Sequence, residues 1–497
     1  MKISKNLIFN FTIFWFLSGV FITNTLSFYV LSFIILGVFT LFIWNIYLYT
    51  QKYSIYMISI IVWCIAWICL SSIFIQKIHQ NENFLEPYYY GQHDMQFYIK
   101  DVYKVKDYSI EYKGKIIYID EKEVDRDIYA IISIPMNFNV EKWYTIWFRS
   151  KLYKVDNFDG FNYIKYLQSG DIYFKSYVVW LSVLDRNGLS TFTSTIYNFR
   201  KEFLRIIHEI YPKREAIFLW GILVWARENL PDDLKEDFNN SWLTHFIAVS
   251  WFNMTILIIF FAYILKFFPL YFRAIIITAA IVLFTLLVWD TPPVIRAAIM
   301  WVIWYFVMIS GRAGSSLSVI LLTCFIMTVW SPLSLNYDVS FHLSFLAVVG
   351  ILYTQWFFKR IFSFLPQAFA IREAVVLTFA ALSFTLPIMI FNFGQVSFLA
   401  PIANVLVTWT IPIAMLLGFI SVIWYVIHPS LWVFIWFFDW LFLRYDMLIV
   451  YVFWNFEFSL IKIDFGEFGV YLEAVYFMVL IFLVLIFQSN SNTKQKL

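Results

Sequence analysis

Charged residues are scarce in this sequence: Asp, Glu, Lys and Arg make up 14% of its 497 residues. Soluble globular domains carry about 25% of such residues. Hydrophobic residues reach 61%, and the mean hydropathy is +0.72. This shortage of charge excludes an ordinary soluble protein and predicts an integral membrane protein. The formal net charge of +3 is too small to indicate a polyanionic partner by itself.

Cysteine is also rare, with Cys64, Cys69 and Cys324 all lying in apolar runs. Such cysteines are usually buried small hydrophobes, so no disulfide or metal framework is implied. The six histidines form no H-x-H-x-D-H set, and no G-x-x-x-x-G-K-[ST] phosphate loop is present. We therefore expect no metal site, no bound cofactor and no catalytic residues in this chain.

Three apolar runs open the chain, near 7–23, 26–49 and 54–76. Each is long enough to cross a hydrocarbon core of ~30 Å. The first has no small-residue cleavage site and another run follows at once, which favours a retained span over a signal peptide. Lysines before the first run and after the second fit the positive-inside rule. We predict transmembrane helices over 1–76, with the N-terminus in the cytoplasm.

Residues 77–190 change character, because charges become frequent and alternation replaces long apolar runs. About five strands are predicted, the second around a possible turn at Lys113-Gly114. A small OB-like β-barrel outside the membrane is the leading interpretation. The alternative is a small β domain that only packs on the membrane part. The predicted strands are Phe97–Val105, Ser109–Ile119, Asp127–Ile134, Tyr144–Tyr153 and Ile172–Val179.

Residues 191–212 predict an amphipathic helix, because apolar side chains recur at three and four with charges between them. We expect it to lie along the membrane interface. A helix packed on a protein core is the alternative.

Residues 213–488 predict a transmembrane channel domain, followed by a cytoplasmic tail over 489–497. Plausible spans lie near 242–266, 270–289, 293–310, 315–331, 340–360, 371–393, 398–426, 428–452 and 468–488.

The fold class is therefore a polytopic α-helical membrane protein with about 10–12 spans and an inserted β domain. Polar groups interrupt several of these apolar segments, and such groups usually face a bundle interior or a wet cavity. The segment around Ser250 reads as a broken or re-entrant helix at a pathway. Candidate pathway-lining residues are Arg227, Glu228, His245, Ser250, Asn253, Asp290, Arg296, Asp338, His342, Gln395 and Asn404.

Structural roles compete with this interpretation at several of those positions. Arg296 could reach only a helix-end carbonyl or the interface. Asp338 and His342 could form a structural pair that joins spans. A later charged group comprises Asp439, Arg444 and Asp446, and for Arg444 and Asp446 we favour a loop or an ion pair at a helix end.

Several blocks of this sequence together match the motifs of one protein family. Leu243-Thr-His-Phe-Ile-Ala-Val-Ser250 resembles the family's G-L-x-H-L-L-A-I-S-G-L-H block. Pro293-Val-Ile-Arg-Ala-Ala-Ile-Met300, followed by Gly311-Arg312, resembles S-V-V-R-A-A-I-M and a downstream G-R.

The remaining blocks follow in the order that the family has. The block from Pro332 to Ala347 resembles N-P-L-x-x-x-D-x-x-F-Q-L-S-F-x-A, and Phe393–Asn404 resembles a fourth block. In the soluble part, Asp159-Gly-Phe-Asn-Tyr-Ile-Lys-Tyr-Leu167 resembles N-P-G-G-F-D-Y-x-x-Y-L. Any one block alone would be a weak match, whereas the combination is specific and resembles the ComEC/Rec2 family of competence proteins.

The resemblance implies a cytoplasmic (inner) membrane channel that imports single-stranded DNA during natural transformation. It makes Tyr163, Lys165 and Tyr166 candidate DNA-binding residues, because tyrosines stack on bases and lysines bind phosphates. Longer family members often end in a metallo-β-lactamase-like domain, for which this sequence has no counterpart. The expected partners are DNA, membrane lipid, a separate receptor, nuclease and cytoplasmic ATPase, and further copies of the chain.

Two other classes stay open at this stage. A multi-pass transporter or membrane enzyme could use Arg296, His245 and Asp338, although no inverted repeat and no convergent constellation is evident. A DNA-binding receptor without a pore is the third possibility.

Glycine is unusually scarce, with 15 Gly against 22 Trp, whereas glycine is ordinarily ~7% of residues. Several tryptophans stand where the family blocks have glycine, and an indole there would overpack. One hypothesis is that UGA codons read as glycine have been translated as Trp; UGG codons at Trp225, Trp242, Trp251 and Trp301 would end it. Genuine aromatic enrichment is the alternative. The positions in question are Trp143, Trp225, Trp242, Trp251, Trp289 and Trp301.

Overall fold

The computed structural model describes most of the chain after its first 71 residues. Five candidate residues, Arg227, Glu228, His245, Ser250 and Asp290, lie outside the described residues. So do nearly all of the predicted N-terminal spans, the span near 468–488 and the tail. The described ranges are 72–106, 108–138, 140–157, 162–186, 191–224, 231–241, 243, 251–288, 292–309, 316–366, 371–397, 399–428, 432–454, 461–462 and 476.

Contacts divide the chain into two compact units. The β unit ends at Phe192 and also takes up Gly314–Asp338. The helical unit consists of Thr193–Ala313 and Val339–Leu497. The sequence assigned 314–338 to the channel domain, so a segment from the second half of the chain joins the β unit.

The β unit is built on one mixed sheet of eight strands, whose path runs β6-β7-β4-β2-β1-β5-β8, with β3 paired to β2. β4 and β7 are parallel, and the other pairs are antiparallel. The strands are β1 Gln92–Val105, β2 Ser109–Ile119, β3 Lys122–Glu123, β4 Tyr129–Pro135, β5 Thr145–Lys151, β6 Tyr153–Lys154, β7 Ile172–Tyr177 and β8 Leu181–Asp185.

The order of the strands closes on itself. β6 is the first strand of the path and β5 is five strands further along it, yet only Leu152 separates β5 from β6 in the sequence. A sheet that meets itself in this way has the connectivity of a small barrel. The five predicted strands are confirmed within a few residues. The OB-type assignment stays a prediction.

The turn predicted at Lys113-Gly114 is wrong. Both residues lie inside β2, where Gly114 pairs with Ile99 and Ala130. A Cβ on Gly114 would lie 2.2 Å from the Tyr98 carbonyl oxygen. Glycine is therefore needed here for the close approach of two strands.

Two helices flank the barrel in the same unit, α1 over 72–85 and α2 Tyr163–Gln168. Lys77 binds Asp171 at 2.9 Å, and Asn81 donates to the Tyr173 hydroxyl at 3.1 Å. The barrel core also includes Leu333, which is 1% exposed. That residue lies between α9 Ser316–Trp330 and α10 Ser334–Tyr337.

The helical unit carries the remaining helices, which begin and end close to the predicted spans. Four are long and apolar enough to cross a membrane among the described residues, α7, α8, α11 and α12, and the pair α13–α14 makes a fifth if its 43° bend lies within one span. The helices are α3 Thr191–Ile210, α4 Lys213–Val224, α5 Asp232–Asn240, α6 Trp251–Ile264, α7 Leu270–Val288, α8 Pro292–Ile309, α11 Val339–Ile361, α12 Ile371–Phe393, α13 Ala400–Thr408, α14 Ile411–Ile427 and α15 Trp432–Trp454.

These features make the chain a polytopic helical protein with an inserted small β domain, as predicted. The amphipathic helix α3 is also present, and its apolar face packs on the core of the helical unit. Phe203, Ile207 and Ile210 are buried there, and the ring of Phe203 lies 6.2 Å from that of Phe419. Packing on protein, our second interpretation, therefore describes this face.

Candidate functional site

The three tyrosine and lysine residues predicted to bind DNA lie on α2, on the outside of the barrel. The Asn162 side chain caps this helix by accepting from the Lys165 backbone N–H at 3.1 Å, as Asn commonly does. The rings of Tyr163 and Tyr166 stack at 6.2 Å. They cover a small apolar cluster formed with Ile131, Leu167 and other neighbours.

The segment 331–338 docks on this helix, so two blocks far apart in sequence meet in one place. The Ser331 hydroxyl donates to the Ser169 carbonyl at 2.9 Å. The Lys165 ammonium lies 5.6 Å from the centre of the Tyr337 ring, within the range of a cation–π contact. Burial, and next the charge of Asp338, raise the pKa of Tyr166. Asp338 is therefore a member of the α2 site.

A band of lysines and tyrosines extends from α2 across the strands. Lys175 lies 4.9 Å from the ring centre of Tyr163. Lys100 and Lys113 lie 5.5 and 5.6 Å from that of Tyr129. Cations held beside aromatic faces are the combination that binds single-stranded nucleic acid elsewhere. We call these residues, with Tyr153 and Tyr177 below, the lysine–tyrosine band.

The exposed aromatic rings of the band lie at its edge. Tyr153 and Tyr177 are 37% and 55% exposed, and their rings meet edge-on at 5.5 Å. The Tyr103 and Tyr163 hydroxyls are 3.2 Å apart, and burial, followed by this contact, raises the pKa of Tyr103. Sequence reasoning missed this edge, because strand register decides which side chains share a face.

Arg296 lies on α8 in the helical unit and is 1% exposed. Its Nη2 donates to the Ser340 carbonyl oxygen at 3.0 Å, the Ser340 hydroxyl at 2.7 Å and the Ser344 hydroxyl at 3.0 Å. The guanidinium carbon is 5.9 Å from the ring centre of Phe341. Arg296 thus reaches a carbonyl near the start of α11, as one alternative proposed. A role in lining a pathway stays a prediction.

The other described candidates occupy separate places. Asn253 donates to the Ile222 carbonyl at 3.0 Å and borders a pocket of about 90 Å³ with otherwise apolar walls. Asn404 is 9% exposed on α13, and its Oδ1 has no hydrogen-bond partner within the described ranges. His342 is half-buried on α11, and Gln395 pairs with Lys462 in a short ladder. The candidates therefore do not converge on one centre.

The interpretation of Arg444 and Asp446 as a loop or a helix-end ion pair is wrong. Asp439, Arg444 and Asp446 all lie inside α15, and both aspartates are fully buried. Arg444 binds Glu215, not Asp446, at 3.1 Å.

The two aspartates are bound by hydroxyl groups instead. Tyr211 donates to Asp439 Oδ2 at 2.5 Å, and the Thr410 hydroxyl is 2.5 Å from Asp446 Oδ1. Thr410 lies at the bend between α13 and α14. A seven-residue spacing, which places both carboxyls on one helix face, was the available signal.

No group of three or more His, Cys, Asp or Glu that could hold a metal occurs in the part of the chain that the structure describes. The apolar helices and the mixed sheet together define the class of protein, a membrane-spanning helical unit joined to a small β unit. A model of the competence protein family matches residues 222–490, more than half of the chain. The chain belongs to this family and has a role in DNA uptake in competence. No curated protein matches, and no solved structure matches.

Proposed function

We propose that this protein imports single-stranded DNA across the cytoplasmic (inner) membrane during natural transformation. The observation that carries the proposal is the joining of α2 to the segment 331–338 beside the lysine–tyrosine band. Both segments contain blocks that resemble the family, and they supply cations and aromatic rings on one surface. The β unit receives the strand outside the cell membrane, and the helical unit passes it inward, with the N-terminus in the cytoplasm.

The band suits a single strand, because every base has a face that can stack on tyrosine whatever the sequence. Lys100, Lys113 and Lys175 provide the charges that attract phosphates, and this attraction should weaken as salt rises. Because the net charge of the whole chain is only +3, we expect the attraction of phosphates to depend on the local positive charge of the β unit.

A strand crossing the bilayer needs polar groups and water along its way. Arg227, Glu228, His245, Ser250, Asn253, Asp290 and Asn404 are the proposed lining groups. Strand degradation and ATP hydrolysis belong in this proposal to other proteins, a separate nuclease and a cytoplasmic ATPase. A separate receptor delivers the DNA, and the channel can assemble from several copies within the lipid.

The experiment is uptake of labelled DNA by a deletion strain complemented with variants. Lys113→Gln combined with Lys175→Gln removes two cations from the band. The matched control, Lys122→Gln, removes a cation from exposed strand β3. We expect uptake to fall ~10-fold or more in the double variant, since each lost phosphate contact weakens binding. Uptake equal to that of the control variant contradicts the role of the band, and normal uptake by the deletion strain contradicts import by this protein.

A further inference from the structure

Asp439 and Asp446 are two fully buried carboxyl groups in the helical unit, and neither has a positively charged partner among the described residues. The one cation nearby in sequence, Arg444, is bound to Glu215. An ionised carboxylate buried without a partner is very costly, and such a group usually takes up a proton instead. Carboxyl groups inside membrane helices commonly mark proton pathways.

Asp446 has too few hydrogen-bond donors around it, among the described residues, to stabilise a charged carboxylate. The Thr410 hydroxyl has one hydrogen, yet its oxygen is 2.7 Å from the Val407 carbonyl and 2.5 Å from Asp446 Oδ1. If the hydrogen points to the carbonyl, the contact with Asp446 requires a hydrogen on the carboxyl. The second oxygen, Oδ2, has no hydrogen-bond partner in the described part of the chain.

The surroundings of Asp439 give an independent observation. The Ser421 hydroxyl on α14 is fully buried beside the Tyr211 hydroxyl, and it makes no hydrogen bond at standard distance within the described ranges. Asp439 Oδ1 also has no such partner. Among the described residues, Ser421 Oγ and Asp439 Oδ1 are therefore two buried oxygens without a partner near the same tyrosine, and a hydrogen on Asp439 would supply one more donor there.

Other charged groups on the packed elements do not neutralise the pair. On α4, Glu215 is bound to Arg444, whereas Lys213 and Arg214 are exposed. Neither α13 nor α14 contains a charged residue. The titratable residue of α14 is Tyr425, whose hydroxyl donates to Glu209. On α5, Glu236 is exposed and Lys235 and Asp237 are half-buried, and none of the three forms a salt bridge with either carboxyl among the described residues. Asp446 interacts instead with Asp439, a group of the same sign when charged.

A shared metal cation does not fit this arrangement. Seven residues of α-helix separate the two aspartates by about 10 Å along the axis, whereas oxygen ligands of a cation lie at about 2–2.6 Å from it. We infer that Asp439 and Asp446 are a proton-binding pair, one proton on each carboxyl, and that movement at the bend between α13 and α14 exposes them to water. The O–H bond of each acid then breaks and the proton passes to water.

This pair would couple the inward movement of DNA to a proton gradient, a step that rests on the proposed function. Proton binding itself is independent of DNA, so the two can be tested apart. The first measurement is infrared difference spectroscopy of the full-length protein in nanodiscs, with aspartate labelled by a carbon isotope in the carboxyl. We expect a label-sensitive carboxylic-acid band at neutral pH that is reduced in Asp439→Asn and in Asp446→Asn.

Glu215→Gln is the matched control, because it removes a buried carboxyl that already has a cation. This variant should leave the carboxylic-acid infrared absorption unchanged. A wild-type spectrum with no carboxylic-acid band at neutral pH overturns the inference, and this result does not depend on any variant folding. A band abolished by sodium at constant pH indicates a cation site and also overturns it.

The second measurement is DNA import by proteoliposomes with acid outside. A gradient of about one pH unit should raise the import rate up to ~10-fold for each coupled proton. The Asp439→Asn/Asp446→Asn protein should import at the rate seen without a gradient. Import that the gradient stimulates equally in wild type and this variant overturns coupling. Failure of all import while the infrared band is present contradicts the proposed function and leaves the proton site standing.

Discussion

Backbone hydrogen bonds join Ile99 of β1 to Trp143 and Tyr144, the two residues just before β5, so that one residue of β1 lies opposite two residues. Trp143 N–H donates to the Ile99 carbonyl at 2.8 Å, and Ile99 N–H donates to the Tyr144 carbonyl at 3.0 Å. Trp143 has a φ of 76°. This is the arrangement of a β-bulge whose first residue is normally a left-handed glycine. A buried tryptophan in that conformation is strained by about 1–3 kcal/mol.

We predict that residue 143 of the natural protein is glycine, inserted at a UGA codon. Peptide mass spectrometry of the protein from its source cells should give the mass of glycine at this position. Trp147 is the control, because it lies in strand β5 opposite Gln96, where a side chain is suited. A UGG codon or a tryptophan mass at position 143 contradicts the hypothesis there.

Trp301, another position in question, lies buried inside helix α8, where nothing in the described structure requires glycine.

The pair Asp94–Arg149 should make the β unit sensitive to acid. Two hydrogen bonds of 2.7 and 2.6 Å from Arg149 lower the pKa of Asp94. A carboxyl whose folded pKa is lowered stabilises the fold above its unfolded pKa of about 3.9, and this contribution disappears as pH falls through the folded value. The effect is small, because the pair is at the surface.

Thermal unfolding between neutral pH and about pH 2.5 tests this, the lower limit lying below the ordinary Asp value. Asp94→Asn should have a lower Tm than wild type at neutral pH, and the two should converge at the acid end. Asp156→Asn, which removes an exposed carboxyl that forms no salt bridge with any described residue, serves as the control. A difference that grows as the pH falls is the opposite of the expected sign.

Gly418 allows α14 to approach α4 and α15 closely. A Cβ there would lie 2.7 Å from Leu219 Cδ1 and 3.2 Å from Asp439 Oδ2. We expect Gly418→Ala to destabilise the helical unit by about 1–3 kcal/mol, as overpacking does. Measured as Tm in nanodiscs, the loss should exceed that of Gly170→Ala, where the nearest atom is the flexible Lys113 Nζ at 3.3 Å. Equal values in the two variants would show that this approach is not close.

Leu333 should hold the segment 331–338 in the barrel core. It is 1% exposed there, and replacing a buried leucine by alanine costs about 2–5 kcal/mol. Leu333→Ala should therefore expose 331–338 to hydrogen exchange in the full-length protein. Leu335→Ala, at a half-buried neighbour, should have a smaller effect. Unchanged protection in the Leu333 variant contradicts the docking of this segment.

Much of the helical part was predictable, because long apolar runs define where helices such as α12 begin and end. Strand bounds were also predictable from alternation. The bulges of β1 and the role of Gly114 were not, because they depend on strand register, which no local pattern encodes. The sequence also placed 314–338 with the channel, since an apolar run does not reveal which neighbour buries it.

The candidate site was predicted in parts. The tyrosines of α2 and Asp338 were identified singly, and their proximity depends on contacts such as Ser331–Ser169, which join residues 162 positions apart. The pairing of Arg444 with Glu215 joins residues even further apart, with a separation of 229 positions. A charged residue in an apolar run indicates a partner, but only the fold decides which partner it meets.

Import by the purified full-length protein in proteoliposomes is the most direct test of the account. Labelled single-stranded DNA is offered outside, external nuclease is added, and the protected DNA is measured. We predict protected DNA in vesicles that contain the protein, with at least a ~10-fold loss for the Lys113→Gln/Lys175→Gln variant at moderate salt. Protein correctly inserted with its β unit outside, yet no more protected DNA than in empty vesicles, would contradict the account.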